Sequence, residues 1–320
     1  MTTPEPVPTP EPPPPYRRRA RLLLAAVLLA LFAAMLGYRI LMAGELEETA
    51  LFYVGLPAAI ALLVTFEARP RSAVGVALCV TTIGLALAGP LLNEGLVCLL
   101  LAAPLFYGVA ALIGAAVARS RTSGYSALLL LPLVAITSLE GVGEASLLPR
   151  DNTGHAEQAV AASPAEVRSA LATPPSYDDP ESLFLATVPF PVPVQAIGTG
   201  LAVGDARTVQ FTPRQSLGIG AEPQEQSMQL TVVERDITAT SGQVVFAVTE
   251  DSTLARWLDL HTAEVTWQET VNGTRLAWEL HYSRTYDPSW YFDPLQRYAM
   301  NQAADYLVDT FTPGQGEGPP

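Results

Sequence analysis

Two charged residues stand where strand periodicity could carry them out of water. Within a segment reading as a strand over 206–212, Arg207 shares a side with Val209 and Phe211, because side chains in a strand alternate between faces. Over 263–270, Glu269 shares a side with Val265 and Trp267. If those faces turn inward, the two opposite charges pair with each other, or Arg207 is left to meet a ligand carboxylate or phosphate. If they stand at strand ends, both reach solvent.

Other chemistry finds little support in residue type or spacing. His155, His261 and His281 are far apart and have no paired cysteines or spaced carboxylates beside them, so zinc-ligand spacing is missing and no metal is expected. Asp178, Asp179 and Glu181 form an acidic cluster without the spacing or glycine of a calcium loop. No glycine-rich phosphate loop or serine elbow is present, and no cofactor is expected. Cys79 and Cys98, the only cysteines, fall in apolar segments, which leaves the polar half without a disulfide or a thiolate nucleophile.

The elements that hold these residues occupy only half of the 320-residue chain. Residues 1–20 open with eight prolines in the first fifteen positions and close on an Arg cluster, Arg17, Arg18 and Arg19, which predicts an extended, disordered tail. Residues 21–140 are predicted to form an all-α membrane domain of about five spans. The apolar stretches run from Leu22 to about Met42, with Arg39 near its end where it can snorkel outward, then, free of charge, about Thr49–Phe66, Ser72–Leu92, Gly95–Ala118 and Gly124–Leu139. Each approaches the roughly 20 residues that cross a hydrocarbon core.

Alternate loops hold Arg17 to Arg21, then Arg69 and Arg71, then Arg119 and Arg121, whereas the opposite loops hold Glu45, Glu47, Glu48 and Glu94. Positive charge marks the cytoplasmic side. An odd number of crossings therefore puts the N-terminus in the cytoplasm and everything after Glu140 outside it. All 18 positive charges are Arg, a GC-rich coding pattern that points to a bacterial plasma membrane. No span has an internal ionisable residue, which argues against a proton or ion pathway.

After a linker over 141–152, a separate α+β domain is expected over 153–312, with a short disordered tail over 313–320. From 151 onward, 8 Arg face 22 acidic residues, a net charge of −14 within a chain total of −13. Such acidity disfavours nucleic acid as a partner. A first strand is read over 155–162. Ser163-Pro164-Ala165-Glu166 then supplies a cap, a first-turn proline and the closing acid of a capping box, so a helix starts there and stops before Thr173-Pro174. Strands follow at about Ala206–Thr212, Ser227–Arg235, Gln243–Thr249, Ala263–Thr270 and Thr274–Ser283, the last two joined by an Asn272-Gly273 hairpin turn. Leu276, Trp278, Leu280 and Tyr282 share one face of the last strand. Two Asp-Pro pairs, Asp287-Pro288 and Asp293-Pro294, introduce a long helix. Its apolar stripe is Phe292, Leu295, Ala299, Ala303, Tyr306 and Leu307.

This order resembles the START-like, helix-grip superfamily of polyketide cyclases and lipid-transfer proteins, also called SRPBCC. The resemblance is carried by Ala162-Ser163-Pro164-Ala165-Glu166-Val167, by Val203-Gly204-Asp205-Ala206-Arg207, and by Asp287-Pro288-Ser289-Trp290-Tyr291-Phe292 leading into the final helix. The preceding spans depart from the soluble pattern of that superfamily.

The resemblance implies a curved antiparallel sheet wrapped on the C-terminal helix, with a cavity between them for an apolar ligand. Trp267, Trp278, Tyr282, Trp290, Tyr291, Tyr298 and Tyr306 then either line the cavity or fill a solid core. Arg207, Phe211 and Glu269 join them as ligand-site candidates. The expected function is a membrane-anchored binding module for a hydrophobic or amphipathic ligand, with lipid from the adjacent leaflet among the candidates. The alternatives are a cyclase or aromatase type of enzyme and a ligand-sensing or structural module. Binding ranks ahead of catalysis because no acid and base pair is recognisable. The sequence names no protein partner.

Overall fold

The structure, a computed structural model, describes residues 22–30, 60, 71–92, 96–120, 140, 146–188, 190–214, 224–255 and 257–314. They fall into two units, one with the residues up to Ala127 and one with the residues from Leu128 onward, apart from Ser216–Ala221.

In the first unit, α1 (Ala73–Leu92) and α2 (Leu96–Ser120) are helices with no acidic residue in either first turn. Val97–Arg119 is the one helix among the described residues long and apolar enough to cross a membrane, and Ala73–Ala88 is a shorter apolar stretch. Apolar side chains such as Val80, Leu100 and Leu112 are exposed on these helices, while Val97, Ala110 and Ala116 are buried. Thr82 and Tyr107 share a hydrogen bond at 2.9 Å between the two helices. Residues 22–30 are helical. The expected spans at 49–66, apart from residue 60, and at 124–139, the rest of the first span and most of both tails lie outside the described residues.

The second unit is built on one seven-stranded antiparallel sheet in the order β1-β7-β6-β5-β4-β3-β2. Its strands are β1 (Asp151–Val160), β2 (Pro193–Ile197), β3 (Ala206–Arg214), β4 (Gln224–Ile237), β5 (Ser241–Asp251), β6 (Leu258–Thr270) and β7 (Gly273–Arg284). Helices α3 (Pro164–Ala172) and α4 (Leu183–Thr187) separate β1 from β2, and α5 (Ser289–Thr310) closes the chain order. Val244, Val265 and Leu276 are fully buried on the sheet, Val167 and Leu171 on α3, and Ala304 and Val308 on α5, all in one apolar cluster. At about 25 cal/mol per Å² of apolar surface removed from water, this shared core is what holds α5 to the sheet.

Several expected boundaries move, each for a physical reason. The first strand is Asp151–Val160 rather than 155–162, because it pairs with β7 along its whole length from Asp151↔Ser283 to Val160↔Thr274. As an edge strand it alternates poorly, so its pattern hid its start. The stretch 141–152 is correspondingly not all linker: Arg284 donates to the Ser146 hydroxyl at 2.7 Å and to the Leu148 carbonyl. β2 was hidden in the Pro-rich crossing, where Pro193 takes the start of an edge strand, a position that needs no ladder donor.

The β6–β7 turn is centred on Val271 and Asn272, one residue earlier than expected, since Gly273 already pairs with Thr270. Gly273 has φ +134°, and a Cβ there would stand 2.2 Å from the Val160 carbonyl oxygen. The capping box on α3 forms as expected: Glu166 N–H donates to Ser163 Oγ at 3.3 Å and Ser163 N–H to the Glu166 carboxylate at 2.7 Å.

The second Asp-Pro pair does not start a helix. Pro294 lies inside α5, and the buried ridge of that helix is Ser289, Asp293, Met300, Ala304 and Val308. The expected stripe is half-buried beside this ridge, rotated by one residue.

Candidate ligand-binding site

Several contacts seat α5 on the sheet and on the segment before it. Gly154 of β1 lies against Met300: a Cβ on Gly154 would be 2.6 Å from the Met300 Cβ and 2.8 Å from its carbonyl oxygen. Asp293, almost fully buried, accepts from the Asn152 side-chain amide at 2.9 Å. Ahead of the helix, the Asp287 carboxylate accepts from Arg150 at 2.8 Å and from the buried Arg284. Burial raises the Asp287 carboxyl, yet hydrogen bonds from Arg284 and Arg150 outweigh it and hold the group below the usual carboxylate range. Glu140 accepts from Leu147 N–H at 2.9 Å and from the Ser289 hydroxyl, so the segment before β1 is tied to the first turn of α5.

Between these anchors the sheet turns aromatic side chains inward. Trp267, Trp278 and Tyr282 are each at most 4% exposed, as strand alternation requires. Trp278 stacks with Phe246 at 6.3 Å between centroids and tilts against Phe311 at 5.4 Å. Their polar atoms are less well served. Trp278 Nε1, the Tyr282 hydroxyl and Gln226 Oε1 are buried without a hydrogen-bond partner. Burial, and then the nearby Asp293 charge, push the Tyr282 hydroxyl up to about 12, so at neutral pH it is a neutral donor.

Arg207 is also inside, 6% exposed. Its Nη2 donates to the Leu171 carbonyl at 2.7 Å, at the C-terminal end of α3, where a cation suits the helix dipole. Its guanidinium carbon stands 5.8 Å from the Phe246 ring centre and 5.9 Å from that of Phe311. Burial lowers its pKa, with Tyr177 acting in the opposite sense.

The expected site residues thus separate. Arg207, Trp267, Trp278 and Tyr282 share the interior, and Phe211 packs against the same cluster while partly exposed. Tyr306 is half-buried and donates to the Asp178 carbonyl at 2.8 Å, fastening the crossing segment to α5. Trp290 and Tyr298 are about half exposed, at 47% and 50%, because the helix presents its other ridge inward. Tyr298 meets Phe184 edge-on at 5.1 Å, and Phe184 and Trp257 both contact Phe190, so an aromatic cover lies outside the core. Glu269, one residue from the end of β6, is exposed. It cannot pair with Arg207, which meets no carboxylate among the described residues.

Sequence reading missed Phe246, Phe311, Tyr177 and Gln226. Phe246 was available from the alternation of Val244 and Phe246, and Phe311 from the i, i+4, i+7 spacing of Ala304, Val308 and Phe311. Nothing local marks Gln226. A surface groove of 430 Å³, with Arg168, Asp205 and Arg235 on its walls, lies where α3 meets the β2–β3 loop and β4.

An antiparallel sheet closed by a C-terminal helix across its apolar face decides the architecture. It is a helix-grip fold. No protein-family model matches the chain, and no curated protein sequence matches it. Solved structures do match over about half its length. A protein from Chromobacterium violaceum shares 14% identity, covering 49% of this chain and 96% of its own, with a TM-score of 0.31. Ginseng major latex-like protein 151 from Panax ginseng shares 14% identity over 49% of this chain and 99% of its own, TM-score 0.26. A norcoclaurine synthase point mutant from Thalictrum, bound to a transition-state analogue, shares 13% identity over 52% of this chain and 95% of its own, TM-score 0.32. The helix-grip assignment stands on the strand order and the seat of α5.

Proposed function

We propose that the C-terminal unit is a membrane-anchored binding module for a hydrophobic or amphipathic ligand held between the sheet and α5, with a bilayer lipid as the leading candidate. The observation that carries this reading is that the buried side-chain atoms without partners among the described residues include Trp278 Nε1, Tyr282 Oη and Gln226 Oε1, beside a large apolar cluster. Each such atom costs about 1–3 kcal/mol when left unpaired. Native interiors satisfy nearly all of theirs, and a ligand with polar atoms offsets this cost.

The membrane part of the reading rests on sequence. Apolar stretches near spanning length and the alternation of Arg-bearing and acidic loops favour an anchor, with five crossings leaving the module outside the cytoplasm. A pocket tethered near a bilayer samples its lipids at high local concentration.

The test is to purify the whole chain, extract it with organic solvent and analyse the extract by mass spectrometry. A stoichiometric amphiphile supports binding. An empty chain that no amphiphile stabilises overturns it. Orientation is tested by adding protease to spheroplasts: cleavage of the C-terminal unit without lysis is expected, and protection until lysis overturns the topology.

A further inference from the structure

Arg207 and Trp278 come from β3 and β7, strands separated by three others in the sheet, yet they stand against the same two rings. The Arg207 guanidinium is within 6 Å of the Phe246 and Phe311 ring centres. The Trp278 ring is 6.3 Å from the first and 5.4 Å from the second. The two side chains therefore flank the same pair of aromatic rings in the interior.

Both groups only donate hydrogen bonds. Trp278 Nε1 has no hydrogen-bond partner among the described residues. Arg207 gives one N–H to the Leu171 carbonyl, out of five that a guanidinium carries. Capping α3 accounts for that one bond, and a single carbonyl does not use the planar fork that suits Arg to carboxylate and phosphate. Tyr177 is the titratable group that acts on Arg207. Its hydroxyl, pushed by burial up to about 12, is neutral and supplies no counter-charge. A buried cation without an opposite charge is unfavourable, and an incoming anion relieves it while also accepting from Trp278. The domain as a whole is strongly acidic, so general attraction does not gather anions there; the selectivity must come from these desolvated donors.

We propose that Arg207 and Trp278 together bind the anionic head, carboxylate or phosphate, of a single-chain amphiphile whose tail lies along the apolar interior under α5. This rests on the ligand-binding reading above and narrows its ligand class.

The experiment uses the full chain in lipid nanodiscs and two probes, dansyl-labelled undecanoate and its methyl ester, which differ only in the charge of the head. The acid should bind at least about tenfold more tightly than the ester, as expected for a charge-assisted bond. Arg207→Gln should collapse that preference by weakening the acid far more than the ester, Arg207→Lys should restore part of it, and Trp278→Phe should weaken the acid more than the ester. Equal binding of acid and ester by the native chain overturns the anion site while leaving ligand binding intact. Failure of both probes and of extracted lipid to bind overturns the ligand reading itself. If Arg207→Gln does not fold, the native acid-to-ester ratio and the Trp278→Phe variant decide. Competition by dodecanoate and by dodecyl phosphate separates the two head groups, and displacement of the acid probe by neither overturns the proposal.

Discussion

Gly154 touches Met300 so closely that no side-chain carbon fits between β1 and α5: a Cβ there would lie 2.6 Å from the Met300 Cβ and 2.8 Å from the Met300 backbone. The missing side chain of one strand residue fixes how deep the long helix sits on the sheet.

Gly154→Ala is therefore expected to lift the middle of α5 and destabilise the second unit by about 1–3 kcal/mol, the usual result of overfilling a packed contact. Denaturant unfolding followed by Trp fluorescence measures it. An unchanged midpoint would show that the helix is free to shift.

The Asp287 carboxylate joins Arg150 to the almost fully buried Arg284. Asp287→Asn leaves the shape and removes the counter-charge, so a loss of about 3 kcal/mol is expected. Because the folded pKa of Asp287 lies below its unfolded value, its stabilisation is complete above about pH 4 and disappears as the pH falls through the folded value. Thermal unfolding of the native chain should show this acid-dependent fall, and the Asn variant should lack that part of it.

Asp251 is expected to behave in the opposite sense. Its Oδ1 accepts from the Thr253 and Leu254 N–H groups, while Oδ2 is buried and unpartnered. Burial raises its pKa more than those two hydrogen bonds lower it. The ionised form is thus disfavoured in the fold above the folded pKa, and the penalty is absent below the unfolded value. Asp251→Asn should raise stability at pH 7 by about 1 kcal/mol, and the gain should vanish in acid. Paired thermal melts at the two pH values check the sign.

Tyr282→Phe removes a buried hydroxyl that has no partner. In the ligand-free chain the variant should be as stable as the native protein or slightly more so, since no bond is broken and an unpaired polar group is lost. The stabilisation by a bound amphiphile should shrink. A variant that loses stability without ligand would show that the hydroxyl is already paired.

The local grammar of the second unit was written in consecutive residues. Ser163, Pro164 and Glu166 determined the start of α3, because a cap needs only its own first turn. Alternation put Leu276, Trp278, Leu280 and Tyr282 on one face of β7, and all four are buried, because the period of a strand is a property of the backbone. The apolar character of 73–92 and 96–120 was equally legible, as was the order of strands and helices apart from α4 and β2.

Tertiary structure alone decided the rest. Whether Met300 or Ala299 faces the sheet depends on the rotation of α5 about its axis, which Gly154 and Asn152 of β1 set from another part of the chain through Met300 and the buried Asp293. Arg207 is buried and Glu269 exposed although each shared a face with apolar neighbours, because one lies under the end of α3 and the other where β6 runs out. The meeting of Arg207 with Trp278, across three intervening strands, follows from how the sheet and α5 bring Phe246 and Phe311 together. Sequence periodicity fixes which way a side chain leaves its own element. Only the packing of elements against one another fixes what it meets.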